Sequence, residues 1–189
     1  MAGQNANLGN VGSVALGTID VGGNLSGNIG GNLNGNIGGD VSVGSLTANS
    51  LFLSAGGNIG SDSAPVQLDV QIVDQISGGG NVTIVQNRPE PNPVGLLRAE
   101  RGALHVDVPN GGLIDNNGGG PNIVSDQNAE FNAQFLGTAD DALEVDVGGD
   151  FLLEVRNDRL DRPVHFPSFF CPASERIGEF ERAIPSSPS

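Results

Sequence analysis

Three short stretches of this sequence place a carboxylate between two apolar residues in the same way. They are Pro65-Val66-Gln67-Leu68-Asp69-Val70, Ala103-Leu104-His105-Val106-Asp107-Val108 and Ala142-Leu143-Glu144-Val145-Asp146-Val147. In a repeating fold Asp69, Asp107 and Asp146 would share a register, and stacked carboxylates could hold calcium through oxygen ligands. They could equally act as the acid and base of a polysaccharide-cleaving enzyme. A plainer role is to point outward, block edge pairing and keep the surface soluble. Units this far apart would set the carboxylates about 10 Å from one another at roughly 4.8 Å per rung. That is too far to share one ion, so the plainer role is the expectation. These three are the only calcium candidates. No catalytic residue, cofactor-binding residue or cofactor is expected.

The remaining chemistry is sparse. His105 sits in register with Gln67 and Glu144, three different polar residues, which points to solvent rather than catalysis. His165 and Cys171 have no metal-ligand spacing, and one cysteine allows no disulfide within the chain. There is no lysine, hence no Gly-Lys-Ser/Thr phosphate loop, and no Gly-x-Ser-x-Gly nucleophile turn. Asn24-Leu25-Ser26 and Asn81-Val82-Thr83 match a glycosylation pattern that is common by chance.

The elements that would carry these residues are strands. From Thr18 to Val43 the odd positions are apolar or Gly and the even positions polar or Gly, a period of two. The octad Asn24–Gly31 is followed at once by its near copy Asn32–Gly39, and Gly-Gly pairs begin at positions 22, 30 and 38. Short strands divided by evenly spaced Gly corners describe a solenoid. The Val-Asp-Val units recur with their equivalent residues at Val66, Leu104 and Leu143, a nearly constant step that fits two coils or one coil with a long loop. Each unit can bury its apolar edge only against a neighbour. Asn24, Asn28, Asn32 and Asn36 are candidates for a side-chain ladder between rungs, although turn preference alone accounts for Asn at such places. A hairpin remains open at Asn110-Gly111 or Asn117-Gly118. Arg88–Pro93, with three prolines, is expected to leave the ladder as a loop, and so is Pro109–Asn122.

Composition agrees with a thin core. The chain has 189 residues, 30 of them Gly, with 4% aromatics and no Trp or Tyr. Its net charge of −14 speaks against nucleic acid and anionic membranes as partners. No apolar run is long enough to insert in a membrane. Residues 1–156 therefore read as a parallel β-helix repeat domain. Residues 157–189 are charge-dense, then Phe-rich at Phe166, Phe169 and Phe170. They read as a short C-terminal cap, with a helix over Glu175–Ala183, or as a partly disordered tail.

Ser45-Leu46-Thr47-Ala48-Asn49-Ser50-Leu51-Phe52-Leu53-Ser54-Ala55-Gly56-Gly57-Asn58-Ile59-Gly60, with the Val-Asp-Val units after it, resembles the repeats of filamentous-haemagglutinin-like and autotransporter-type bacterial surface proteins. The resemblance spans roughly residues 15–156. It implies an all-β, right-handed parallel β-helix (solenoid) that is secreted or displayed on the cell surface. Its function would be structural or adhesive and non-enzymatic, toward a host-surface or carbohydrate ligand. The alternatives are a carbohydrate-active β-helix, binding or cleaving polysaccharide, and a solenoid filament assembled end to end by self-association. The first residues lack the basic and apolar regions of a signal peptide, so the expectation is a module or fragment of a longer extracellular precursor.

Overall fold

A computed structural model describes residues 6–13, 18–21, 25–30, 33–89, 91–138 and 140–155, with side-chain burial described from Gly35 to Glu154 except at 90 and 139. The predicted cap or tail, the helix over 175–183, His165 and Cys171 lie outside the described residues. So do Asn24 and Asn32, and the side chain of Asn28.

The described chain is all strand and connection: β1 (Ala6–Ser13), β2 (Thr18–Val21), β3 (Leu25–Gly30), β4 (Leu33–Ile37), β5 (Val41–Ala55), β6 (Val66–Gly78), β7 (Val82–Gln86), β8 (Pro91–Ala99), β9 (Leu104–Asp115), β10 (Ile123–Ser125), β11 (Ala129–Leu136), β12 (Val145–Val147) and β13 (Phe151–Val155). Every pairing between these strands is parallel, and together they form a β-solenoid. Two columns run its length. The first is threaded by Leu25, Val41, Ile59, Val82, Leu104, Ala129 and Phe151, each paired with the next. The second runs through Gly35, Leu53, Ile76, Leu97, Ile123 and Val145. The long strands β5 and β6 contribute to both.

The coils are unequal. The coil from Leu25 to Val41 is short, that from Val82 to Leu104 is longer, and that from Leu104 to Ala129 is longer again. The two octads together make a single short coil. The first step of the Val-Asp-Val repeat spans about two coils, because Val66 pairs with Ile84 and Ile84 with Val106.

The alternation sets the core. Val41, Val43, Leu46, Leu51 and Leu53 of β5 are at most 3% exposed, while Ser42, Thr47 and Phe52 face out. Each aliphatic side chain removed from water in this way contributes about 1.5–3 kcal/mol. Leu68, Ile76, Leu97, Leu104, Ile123 and Phe131 continue the same interior coil after coil. On the last described coil Val145, Val147, Phe151 and Leu153 are only half-buried. Phe131 and Phe151 stack with ring centres 5.6 Å apart.

Three expectations need correction. Asn110-Gly111 lies inside parallel β9, so it turns no hairpin, and Asn117 instead shapes a loop over 116–122. Pro109 to Asp115 is therefore strand rather than loop. Pro91 and Pro93 also join a strand, because β8 begins with them. There it pairs with β9 alone, and β6 joins only from Val94, so the missing N–H groups cost no second ladder.

Candidate functional site

The corner that precedes the first column is built from glycine and asparagine for reasons of space. Its stations are 38–40, 56–58, 79–81, 101–103, 126–128 and 148–150. At the third residue of a station, a side-chain oxygen accepts the backbone N–H of the equivalent residue one coil on. Asp40 Oδ1 takes Asn58 N at 2.6 Å, Asn58 Oδ1 takes Asn81 N at 2.8 Å and Asn81 Oδ1 takes Ala103 N at 2.9 Å. Asn128 Oδ1 takes Asp150 N at 3.0 Å.

The glycine before each residue whose N–H is taken lies directly over the side chain of the coil below. A Cβ at Gly80 would stand 2.4 Å from Asn58 Oδ1, and one at Gly102 2.4 Å from Asn81 Oδ1. The first glycine of the pair lies over backbone: a Cβ at Gly79 would stand 2.2 Å from the Gly56 carbonyl oxygen. None of these corner glycines has a positive φ, so the requirement is room rather than torsion. Arg101, at the first-glycine position, donates from Nε to the Gly79 carbonyl at 3.0 Å.

The ladder is interrupted once among the described stations. Ala103 has no oxygen to offer Asn128, and the residue over it is Gln127 where other stations have glycine. Gln127 turns aside and donates to the Arg101 carbonyl at 3.0 Å. At this gap the surface opens into a shallow groove of about 240 Å³. Asn81, Ala103 and Asn128 form one side. The other side is the outward column Thr83, His105 and Glu130, which pair across three successive coils. Asp62 overhangs it from an excursion between Ile59 and Val66, which turns at Gly60 with φ of 68° and closes through a Ser61–Ala64 bridge. Thr83 is only 6% exposed. Its hydroxyl has no protein partner among the described residues.

The sequence-predicted residues fall elsewhere or in other company. His105 is in register with Thr83 and Glu130, not with Gln67 and Glu144. Asp69 is exposed on β6, paired in register with Thr47 and 3.4 Å from Arg88. Asp107 lies two coils further on, between Val85 and Asn132 in register. Its Oδ1 and that of Asn132 are shut from solvent without a protein partner. Asp146 belongs to the second column, paired with Val124. The three carboxylates therefore do not line one face. The reason is that the coils vary in length while the repeat nearly keeps its step. Val66 stacks, two coils on, with Val106 rather than with Leu104, its equivalent in the repeat. Two coils on from Leu104 stands Phe151, so Leu143 arrives too early and the third Val-Asp-Val copy falls in the other column. Among the described residues no three His, Cys, Asp or Glu gather to hold a metal ion.

Of the expected ladder residues only the side chain of Asn36 is described; those of Asn24, Asn28 and Asn32 lie outside the described residues. Asn36 is exposed on β4, while Asp40, Asn58, Asn81 and Asn128 make the bonds. Of the groove residues, Asp62 and Glu130 are not among the sequence candidates, and Thr83 and Ala103 enter only through the glycosylation pattern and the second Val-Asp-Val unit. Their signal lies in the corner spelling: Gly56-Gly57-Asn58 and Gly79-Gly80-Asn81 are followed by Arg101-Gly102-Ala103, one asparagine short. The chain matches no protein-family model, no curated protein and no solved structure.

Proposed function

We propose that the chain is a structural and adhesive β-solenoid module of a secreted or surface-displayed bacterial protein, acting without catalysis. The observation that carries this reading is the division of labour along each strand. Aliphatic residues close a continuous interior, and the outward positions of successive coils present short polar groups such as Ser42, Thr47, Asp69, His105 and Glu130. A stack of this kind spreads a long surface over a thin core, the form that repeat proteins use to meet extended partners. The resemblance of residues 45–60 to filamentous-haemagglutinin-like repeats agrees with it. The acidic charge directs the rod toward neutral or basic surfaces.

Retention of the fluorescently labelled chain on intact host cells and on immobilised glycans tests the reading. Saturable retention, with no change in the glycan, is the expected result. Depolymerisation of a polysaccharide by the pure chain would replace this reading with a carbohydrate-active one. End-to-end filaments seen by negative stain, with no surface retention, would replace it with a self-assembling rod.

A further inference from the structure

We infer that the groove at the interrupted rung is a binding subsite for one neutral sugar unit, with the missing Asn oxygen replaced by a sugar hydroxyl. The inference rests on the adhesive reading for its ligand class and goes beyond it in naming the place.

Four N–H groups along this corner are taken by a side-chain oxygen from the coil below: those of Asn58, Asn81, Ala103 and Asp150. Asn128 meets an alanine at that point, so its N–H has no side-chain oxygen from the coil below, and Asn128 lines the groove. A second group is the Thr83 hydroxyl, on a residue 6% exposed, on the groove wall and without a protein partner among the described residues. In the free chain such groups can be met only by solvent, so the groove favours a ligand that can both donate and accept in place of water. Hydroxyls do both. Around these two groups stand the carboxylates of Asp62 and Glu130 as acceptors. Asn81, Asn128 and His105 line the same groove and carry side chains able to donate as well as accept. Adjacent hydroxyls on a sugar ring fit such alternating partners.

Charge and size narrow the class. Two carboxylates and no cationic Lys or Arg line the groove, which disfavours uronic and sialic acids by like-charge repulsion. Its volume of about 240 Å³ lies under the roughly 300–1,000 Å³ of sites for larger ligands, so it suits one ring rather than a chain. Leu104, which lines the groove, and Val82, its partner one coil back, are both buried in the first column, so the groove stands on packed strand.

The test is titration of the ¹⁵N-labelled full chain with glucose, galactose, mannose and N-acetylglucosamine, and with galacturonate, read by amide chemical shifts. At least one neutral sugar should shift Asn81, His105 and Asn128 together. Thr83→Val should weaken that sugar about tenfold, the loss of one hydrogen bond, with an unchanged unfolding midpoint. Ala103→Asn combined with Gln127→Gly fills the groove and should abolish the shifts. Absence of any sugar-dependent shift at the groove would overturn the inference, as would shifts indifferent to Thr83→Val or a preference for galacturonate. If the groove-filled variant is retained on cells as well as the original chain, the adhesive reading stands and the subsite falls.

Discussion

Asparagine is used in two opposite ways at the two turning points of the coil. At the glycine corner, Asn58 and Asn81 are exposed and each passes one bond to the next coil. At the far turning point, Asn122 is fully buried and serves three coils at once. Its amide donates to the Val94 carbonyl at 3.0 Å and to Asp115 Oδ1 at 2.6 Å, and its own oxygen accepts Glu144 N at 3.0 Å. Its backbone carbonyl receives a further bond from Leu97 N at 2.6 Å. The first use is repeated and shares its load among stations; the second is a single node where coils of unequal length are reconciled. Gln86, 2% exposed, has a related role, bonding both the N–H and the carbonyl of Val70.

The contrast predicts unequal costs for the same truncation. Asn122→Ala removes three bonds of a fully buried side chain: the Val94 carbonyl keeps only the Asn116 N–H, the Asp115 carboxylate keeps the Asn117 N–H, and the Glu144 N–H loses its acceptor. Each such bond is worth about 0.5–1.5 kcal/mol, more to a charged group. The expected loss is about 3 kcal/mol or more in urea unfolding. Asn58→Ala exposes the freed Asn81 N–H to water and should cost about 1 kcal/mol or less. Equal losses for the two would erase the distinction between node and ladder.

Within the glycine corner the two glycines differ as well. A Cβ at Gly79 meets backbone that cannot turn aside, whereas one at Gly80 meets the end of the Asn58 side chain. Gly79→Ala should therefore cost about 2–3 kcal/mol by overpacking. Gly80→Ala should cost about 1 kcal/mol, the value of the Asn58 bond it displaces. Thermal unfolding of the two variants side by side checks the order, and a larger loss for Gly80→Ala would break the account.

This difference explains what can be read in advance. Parity identifies the inward Val41 and Val43 and the outward Ser42, because side-chain alternation is a property of the strand itself. Gly-Gly spacing marks the corners, because a stacked backbone leaves no room for Cβ. The register between coils leaves no such mark. Coils differ in length, and the step from Leu97 to Ile123 is much longer than that from Leu25 to Val41. An even slip between coils preserves the inward face while changing every vertical neighbour. Hence the repeat sets His105 beside Gln67 and Glu144, while the coils set it beside Thr83 and Glu130. For the same reason the repeat groups Asp146 with Asp69 and Asp107, while the coils place it in the other column. Asn122 has no signal at all: one asparagine beside Pro121 and three glycines reads as loop, and only the fold buries it.

Ala103 beneath Gln127 is a double replacement the chain already carries, and it tests whether glycine above and asparagine below form a coupled pair. Ala103→Asn alone brings a carboxamide under the Gln127 Cβ and should destabilise. Gln127→Gly alone removes the bond to the Arg101 carbonyl and should also destabilise. Together they rebuild the ladder found at Gly80 over Asn58, so the double variant should recover about 1–2 kcal/mol relative to the sum of the singles, within the usual range for contacting residues. Additive losses in a double-mutant cycle would show that glycine above asparagine is coincidence.

The smallest effect separates the two turning points by pH. Burial raises the Asp115 pKa, but the Asn122 side chain and the N–H groups of Asn117, Gly118 and Asn116 together outweigh it, so the carboxyl is held below its ordinary value of 3.8. A group with a lowered folded pKa contributes stability that is present above its unfolded value and lost as pH falls through the folded one. The gap in unfolding midpoint between the original chain and Asp115→Asn should therefore be constant from pH 7 to about 5 and shrink once pH drops below about 3.8. Asn58→Ala removes no ionisable group, so its own deficit should hold steady over the same range. A gap for Asp115→Asn that ignores pH would mean that Asn122 holds the loop by shape alone, with the carboxylate charge contributing nothing to the node.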